Sequence, residues 1–344
     1  MQQTRISIKS VINRVKKILN LILKIFLPIA LGAVILCWIY RDFDFARVSS
    51  VVFTEMNLWW FALSTVFGVM SHVIRGWRWL LTLEPLGYKP HASNCVYAIF
   101  IAYGANLVVP RVGEVSRCAV LDRSDGVPFV QSLGTVVAER LIDTVMVLTL
   151  VFAALAMQWR IFYAFFVSAG GAGNSSQIFS SITNIAVTMT SIVAIAILAY
   201  FILRKMALLT KLKSILRRFW EGVTALGKMK NFKLFFIETV GIWFCYFMQF
   251  YLCFFCFSFS SELSIAAGLL LFVAGSVAVV VPTPNGAGPW HFAIISMMVL
   301  YGVTQSDASM FALIVHSSQT ALVAVLGVIG LMMVKVNKKK KMFN

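Results

Sequence analysis

Six ionisable side chains stand among residues that otherwise read as membrane-buried. Arg111, Glu114 and Arg117 lie in the short polar stretch 110–126, and Glu139, Arg140 and Asp143 lie near the start of the long apolar run 128–157. A charge at bilayer depth is costly unless it is paired or wet, so such residues mark either function or a compensated network. Glu114 and Arg117 are three residues apart and can pair locally, whereas Arg111 has no comparable acid nearby. Glu139 and Asp143 share a helical face and require cations from elsewhere in the fold, most simply Arg111 or Arg117. Two readings follow: a structural network of buried charges, or a cationic pocket for a phosphate, whose oxygens the planar arginine fork matches.

A second group lies in VVVPTPNGAGPWHF, residues 279–292, inside a run from 263 to 303 that holds no Lys, Arg, Asp or Glu. Three prolines, two glycines and Asn285 cannot continue a helix. Irregular backbone at membrane depth is tolerated only against protein or a water-filled cavity, so Asn285, Gly286 and Gly288 mark a candidate site. Pro289 suits the first position of the following half-helix, whose free amides point their partial positive charge at the break. His291, His316 and Gln319 are further polar residues at this depth. His291 is a candidate proton carrier, or else a neutral ring donating one hydrogen bond to a carbonyl of the break.

The elements that position these groups follow from composition. Hydrophobic residues make up 60% and charged residues 12% of the 344, with a mean hydropathy of +0.86. That is the balance of a polytopic helical membrane protein. The net charge of +17 is concentrated: residues 1–24, 204–233 and 335–341 hold six, nine and five of the 30 Lys and Arg. This is the positive-inside pattern with affinity for anionic headgroups, and none of the three pieces has the aromatic platforms of a nucleic-acid module. The six cysteines fall in or beside apolar segments, and the lone Cys253/Cys256 pair lacks a second pair or a His cluster, so neither metal nor cofactor is expected. The basic N-terminus runs on into an apolar segment without a small-residue cleavage site, which predicts a retained anchor.

Apolar segments at 24–40, 58–81, 92–109, 128–157 and 182–203 precede the basic piece 204–233, with 234–257, 263–303 and 308–334 after it. If all three basic pieces are cytoplasmic, one segment on each side of 204–233 must enter and leave on the same face. The breaks select 92–127 and 263–303. The fold class expected is an all-α polytopic membrane protein with six full crossings plus two oppositely oriented re-entrant helical hairpins, an inverted repeat whose site lies where the breaks meet. Its parts are a basic amphipathic surface helix at 1–23, a first repeat at 24–157, an external loop at 158–180, a second repeat at 181–334 and a basic tail at 335–344. Both termini are expected in the cytoplasm and the protein in the cell's cytoplasmic or inner membrane.

At GANLVVPRVGEVSR (104–117), ERLIDTV (139–145) and PTPNGAGPWHF (282–292) the chain resembles the transmembrane-domain family of lysylphosphatidylglycerol synthases, the flippase-like membrane proteins. The resemblance implies a domain that moves lipids between leaflets, in some members fused to a soluble aminoacyl transferase. That domain is not among these residues, so a stand-alone member without lysyl transfer is expected. Pro110, Arg111, Gly113, Glu114 and Arg117 match the first motif, Glu139, Arg140 and Asp143 the second, and Pro284, Gly286 and Gly288 the third. Asn285 stands where the family often has Gly, and His291 where it often has Glu.

The function expected is transport of an anionic, phosphate-bearing lipid, a phospholipid or a polyprenyl-phosphate carrier. Two alternatives stay open: a lipid-headgroup enzyme with Glu114, Glu139 or Asp143 as base, and an accessory subunit of a lipid or glycolipid synthesis system with a lipid-synthesis enzyme as partner.

Overall fold

The computed structural model describes residues 26–158 and 209–334. The surface helix 1–23, nearly all of the loop 158–180, the span 182–203 and the tail 335–344 lie outside the described residues. Within them the chain is helical, without a strand. In order come α1 (Phe26–Tyr40), α2 (Ala46–Ser50), α3 (Leu58–Leu83), α4 (Ala92–Val108), α5 (Gly113–Ser124), α6 (Phe129–Met157), α7 (Leu209–Thr224), α8 (Phe232–Tyr251), α9 (Ile265–Ala278), α10 (Pro289–Leu300) and α11 (Gln305–Met333). Polar side chains start several of these helices by taking up free amides. Asn57 accepts from Trp59 N at 3.1 Å, Ser264 from Ala267 N at 3.2 Å and Thr304 from Asp307 N at 3.1 Å.

Four helices, Leu58–Leu86, Phe129–Met157, Phe232–Cys256 and Gln305–Met333, are long and apolar enough to cross a bilayer. This is a multi-pass membrane protein. By contrast α1, α4 and α9 are shorter apolar helices; the 17 residues of α4 reach only about 25 Å against a hydrocarbon core of about 30 Å.

The chain doubles back at α4 and α5. Asp125, just past α5, accepts from the backbone N–H of His91 at 3.0 Å and from Asn94 Nδ2 at 2.9 Å, both at the start of α4. At the other end Asn106 Oδ1 accepts from Gly113 N at 2.7 Å and closes the break. The Asp125 side chain is 4% exposed. Burial by itself would raise its pKa, but hydrogen bonds from Ser124, the His91 backbone and ring, and Asn94 outweigh that and hold it below the ordinary value. A depressed folded pKa contributes stability that is present above the unfolded value near 4 and is lost as pH falls through the lower folded value. Protection of the α5 amides, measured relative to their intrinsic exchange rates, is therefore expected to fall below about pH 4, and Asp125→Ala to show that lower protection already at pH 7.

A similar turn joins α9 to α10. Gly275 of α9 lies against Trp290 and Ile294 of α10, and the connecting backbone carries Asn285, Gly286 and Gly288 at φ 51°, 74° and 92°. These left-handed values explain the residue types. Asn is the side chain that tolerates them best, so Asn285 keeps the conformation a glycine would have, and its Nδ2 adds a bond to Thr320 Oγ1 at 2.8 Å. A Cβ on Gly288 would come within 2.9 Å of Ile35 in α1, which covers this break. The two breaks touch: Arg111, itself at φ 65°, donates from Nη2 to the Val280 carbonyl at 3.0 Å. Between the hairpins α4 runs close along α11, where a Cβ on Gly104 would lie 3.0 Å from the Gly327 Cα.

Candidate functional site

The acids on α6 find their cations chiefly on α3. Arg75 Nη1 lies 2.9 Å from Asp143 Oδ2, and Arg78 donates from Nη1 to Asp143 Oδ1 at 2.8 Å and from Nη2 to Oδ2 at 3.2 Å. Arg75 and Arg78 are 2% and 0% exposed and Glu139 is 0%. Arg117 Nη1 stands 2.9 Å from Glu139 Oε2 and Arg78 Nε 3.6 Å from Oε1, close enough for charge attraction but not aligned as hydrogen bonds. The guanidiniums also rest on aromatic rings: Arg117 on Trp79 at 4.7 Å, Arg78 on Phe235 at 5.5 Å and Arg75 on Tyr246 at 5.6 Å. Trp79 is fixed by its Nε1–H to Thr135 Oγ1 at 3.0 Å. At the edge of this network Arg140 donates to Glu114 Oε1 at 2.8 Å and approaches Asp143 Oδ2 at 3.9 Å. Glu238 of α8 adds a half-buried carboxylate on the Arg78 side.

Next to the network is a cavity of about 420 Å³. Its charged end is formed by Arg75, Arg140 and Asp143, with the hydroxyls of Tyr103 and Tyr246, which are 2.7 Å apart. Its wall is aromatic, with Trp243, Phe250, Phe272 and Trp290, and its far end is the second break, at Asn285, His316 and Gln319. The cavity thus joins a guanidinium pair to the interrupted helix through an aromatic wall, the layout of a site for a ligand with an anionic end.

Of the residues singled out in the sequence, Arg140, Asp143, Asn285, His316 and Gln319 line this cavity. Glu114, Arg117 and Glu139 stand behind it as ion-pair partners. Glu114 pairs with Arg140 rather than with Arg117, because the hairpin lays α5 against α6 and offers each group a partner across helices. Arg117 does neutralise Glu139 as expected. Arg111, by contrast, is exposed, touches neither acid and is bound to the second break. Gly286 and Gly288 shape the break. His291 is buried, and its Nδ1 accepts from Gly288 N at 3.4 Å, so the ring closes its own helix start as an acceptor. The donor to the break is instead His316, whose Nε2 is 3.1 Å from the Asn285 carbonyl, its ring 4.4 Å from that of His291. Among the described residues no cluster of three His, Cys, Asp or Glu is placed to hold a metal, and Cys253 and Cys256 are packed in the aromatic core.

Arg75 and Arg78 are not among the residues singled out in the sequence, where they lie in RGWRW (75–79) near the end of the apolar segment 58–81. The available signal was their spacing. Two arginines three apart on an apolar helix complement two acids four apart on another.

Over 83 residues, 24% of this chain, the sequence is 34% identical to the protein named Glycosyltransferase AglD of Haloferax volcanii, and the match spans 13% of that protein. No solved structure matches the chain. Residues 25–327 match the family described as the lysylphosphatidylglycerol synthase TM region, nearly all of the sequence that carries the arginine network, the cavity and both breaks, and the chain belongs to that family.

Proposed function

We propose that the protein moves an anionic, phosphate-bearing lipid between the leaflets of the membrane, holding the phosphate at Arg75 and Arg140. The observation that carries this reading is the cavity: two guanidiniums at one end, an aromatic wall along it and an interrupted helix at the other end. Arginine forks match phosphate oxygens, and an apolar wall accommodates the groups that follow the phosphate. In this reading α4–α5 and α9–α10 are the two re-entrant hairpins, opening to opposite faces, and the bond from Arg111 to Val280 joins their tips near the midplane. The spans are six, with both termini in the cytoplasm, and the basic pieces rest on anionic headgroups there.

A headgroup-modifying enzyme is less well supported. Among the described residues Asp143 is the cavity's one carboxylate, and two arginines hold it, which leaves no free carboxylate to act as base. The relative named as a glycosyltransferase supports instead a place beside lipid or glycolipid synthesis. The test is reconstitution of the full chain in vesicles carrying fluorescent phosphatidylglycerol in both leaflets. Loss of inner-leaflet protection from an added impermeant quencher is expected to be at least about tenfold faster than in protein-free vesicles. Exchange of phosphatidylglycerol, phosphatidic acid and phosphatidylinositol no faster than in protein-free vesicles would overturn transport, and turnover of the lipid would favour an enzyme.

A further inference from the structure

The cavity is larger than a phosphate requires. At about 30 Å³ per water, 420 Å³ corresponds to roughly fourteen waters. What lines the remainder is specific. Trp243 Nε1 and Arg75 Nε are buried without a hydrogen-bond partner, and so is His72 Nδ1 beside them. An indole N–H is a donor only, and a buried donor left unpaired is costly, so Trp243 calls for an acceptor from the ligand. Gln249 and Gln319 add amide side chains that both donate and accept, the complement of a hydroxyl, which does the same.

The charge of the lining is equally selective. The carboxylate of Asp143 lies within 2.8–3.2 Å of Arg75 and Arg78 and 3.9 Å from Arg140. An ammonium entering the cavity would meet two guanidiniums and no unpaired acid among the described residues, a repulsion strengthened where water is excluded. We infer that the headgroup taken by this cavity is a phosphate bearing a hydroxyl-rich group, a polyol or a sugar, and that cationic aminoacylated headgroups are refused. The inference rests on the transport reading for its consequence but on the lining alone for its chemistry.

Binding and transport separate the two. Purified full-length protein in detergent is offered phosphatidylinositol, phosphatidic acid and lysylphosphatidylglycerol with the same acyl chains, read by native mass spectrometry. Phosphatidylinositol is expected to bind at least about tenfold more tightly than either competitor. Trp243→Phe keeps the ring and removes the N–H, and is expected to narrow the preference for phosphatidylinositol over phosphatidic acid by about fivefold. Equal binding of those two lipids, an unchanged ratio in Trp243→Phe, or tight binding of the lysyl lipid would each overturn the inference. In vesicles, selective binding without leaflet exchange would sink the transport reading and leave the headgroup inference standing. Exchange of phosphatidic acid and phosphatidylinositol at equal rates would do the reverse.

Discussion

Asp143→Asn is expected to lower the stability of the protein in detergent by about 3–5 kcal/mol, the cost of leaving buried charges without a partner. The substitution keeps shape and size but takes the counter-charge from Arg75 and Arg78, whose side chains are 3% and 0% exposed. Arg78 cannot swing to water, because it is held between Thr239 and Phe235, and Arg75, although it lines the cavity, packs over Tyr246. Thermal unfolding monitored by tryptophan fluorescence is the measurement. Adding Arg75→Gln to Asp143→Asn removes one of the stranded charges, so the double variant is expected to recover part of the loss. A single variant as stable as the wild type would mean that charge pairing does not hold α3 against α6.

Arg140→Gln is expected to slow lipid exchange by about 10- to 100-fold, the equivalent of losing one or two charged hydrogen bonds to a phosphate, while leaving the unfolding temperature nearly unchanged. The contrast with Asp143 follows from exposure. The Arg140 side chain is 44% exposed and its partner Glu114 26% exposed, and pairs of that kind contribute at most about 1 kcal/mol to stability. Arg140→Lys retains the charge without the planar fork and is expected to fall between the two. Arg111→Gln is the comparison that assigns the phosphate contact. Its guanidinium reaches the Val280 carbonyl and not the cavity, so its loss is expected to slow exchange less than that of Arg140. A reversed order would move the phosphate from the cavity to the meeting point of the two breaks.

Much of the architecture was legible before any coordinates, because the signals involved act locally. Apolar runs of about 20 residues specify spanning helices, and Pro284, Gly286, Gly288 and Pro289 forbid a continuous one through 279–292. The doubling back of α4 and α5 was inferred from where the basic segments fall, and the clip from Asp125 to His91 and Asn94 brings those two ends together. Even Asn285 followed a local rule, since the left-handed backbone it adopts is one that asparagine tolerates.

The sequence by itself determined that the chain is a multi-pass helical membrane protein with two broken segments, and that Glu139 and Asp143 had to be met by cations. Which cations was decided only by tertiary structure. Arg75 and Arg78 lie 68 and 65 residues from Asp143 in the chain and reach it because α3 packs against α6. A one-dimensional spacing reports which side chains share a face of their own helix, but not which helix that face meets. The same reason separates Arg111 from Arg140. Both are arginines in charged motifs of similar appearance, and only the packing of the hairpins turns one toward the other break and leaves the second on the wall of the cavity.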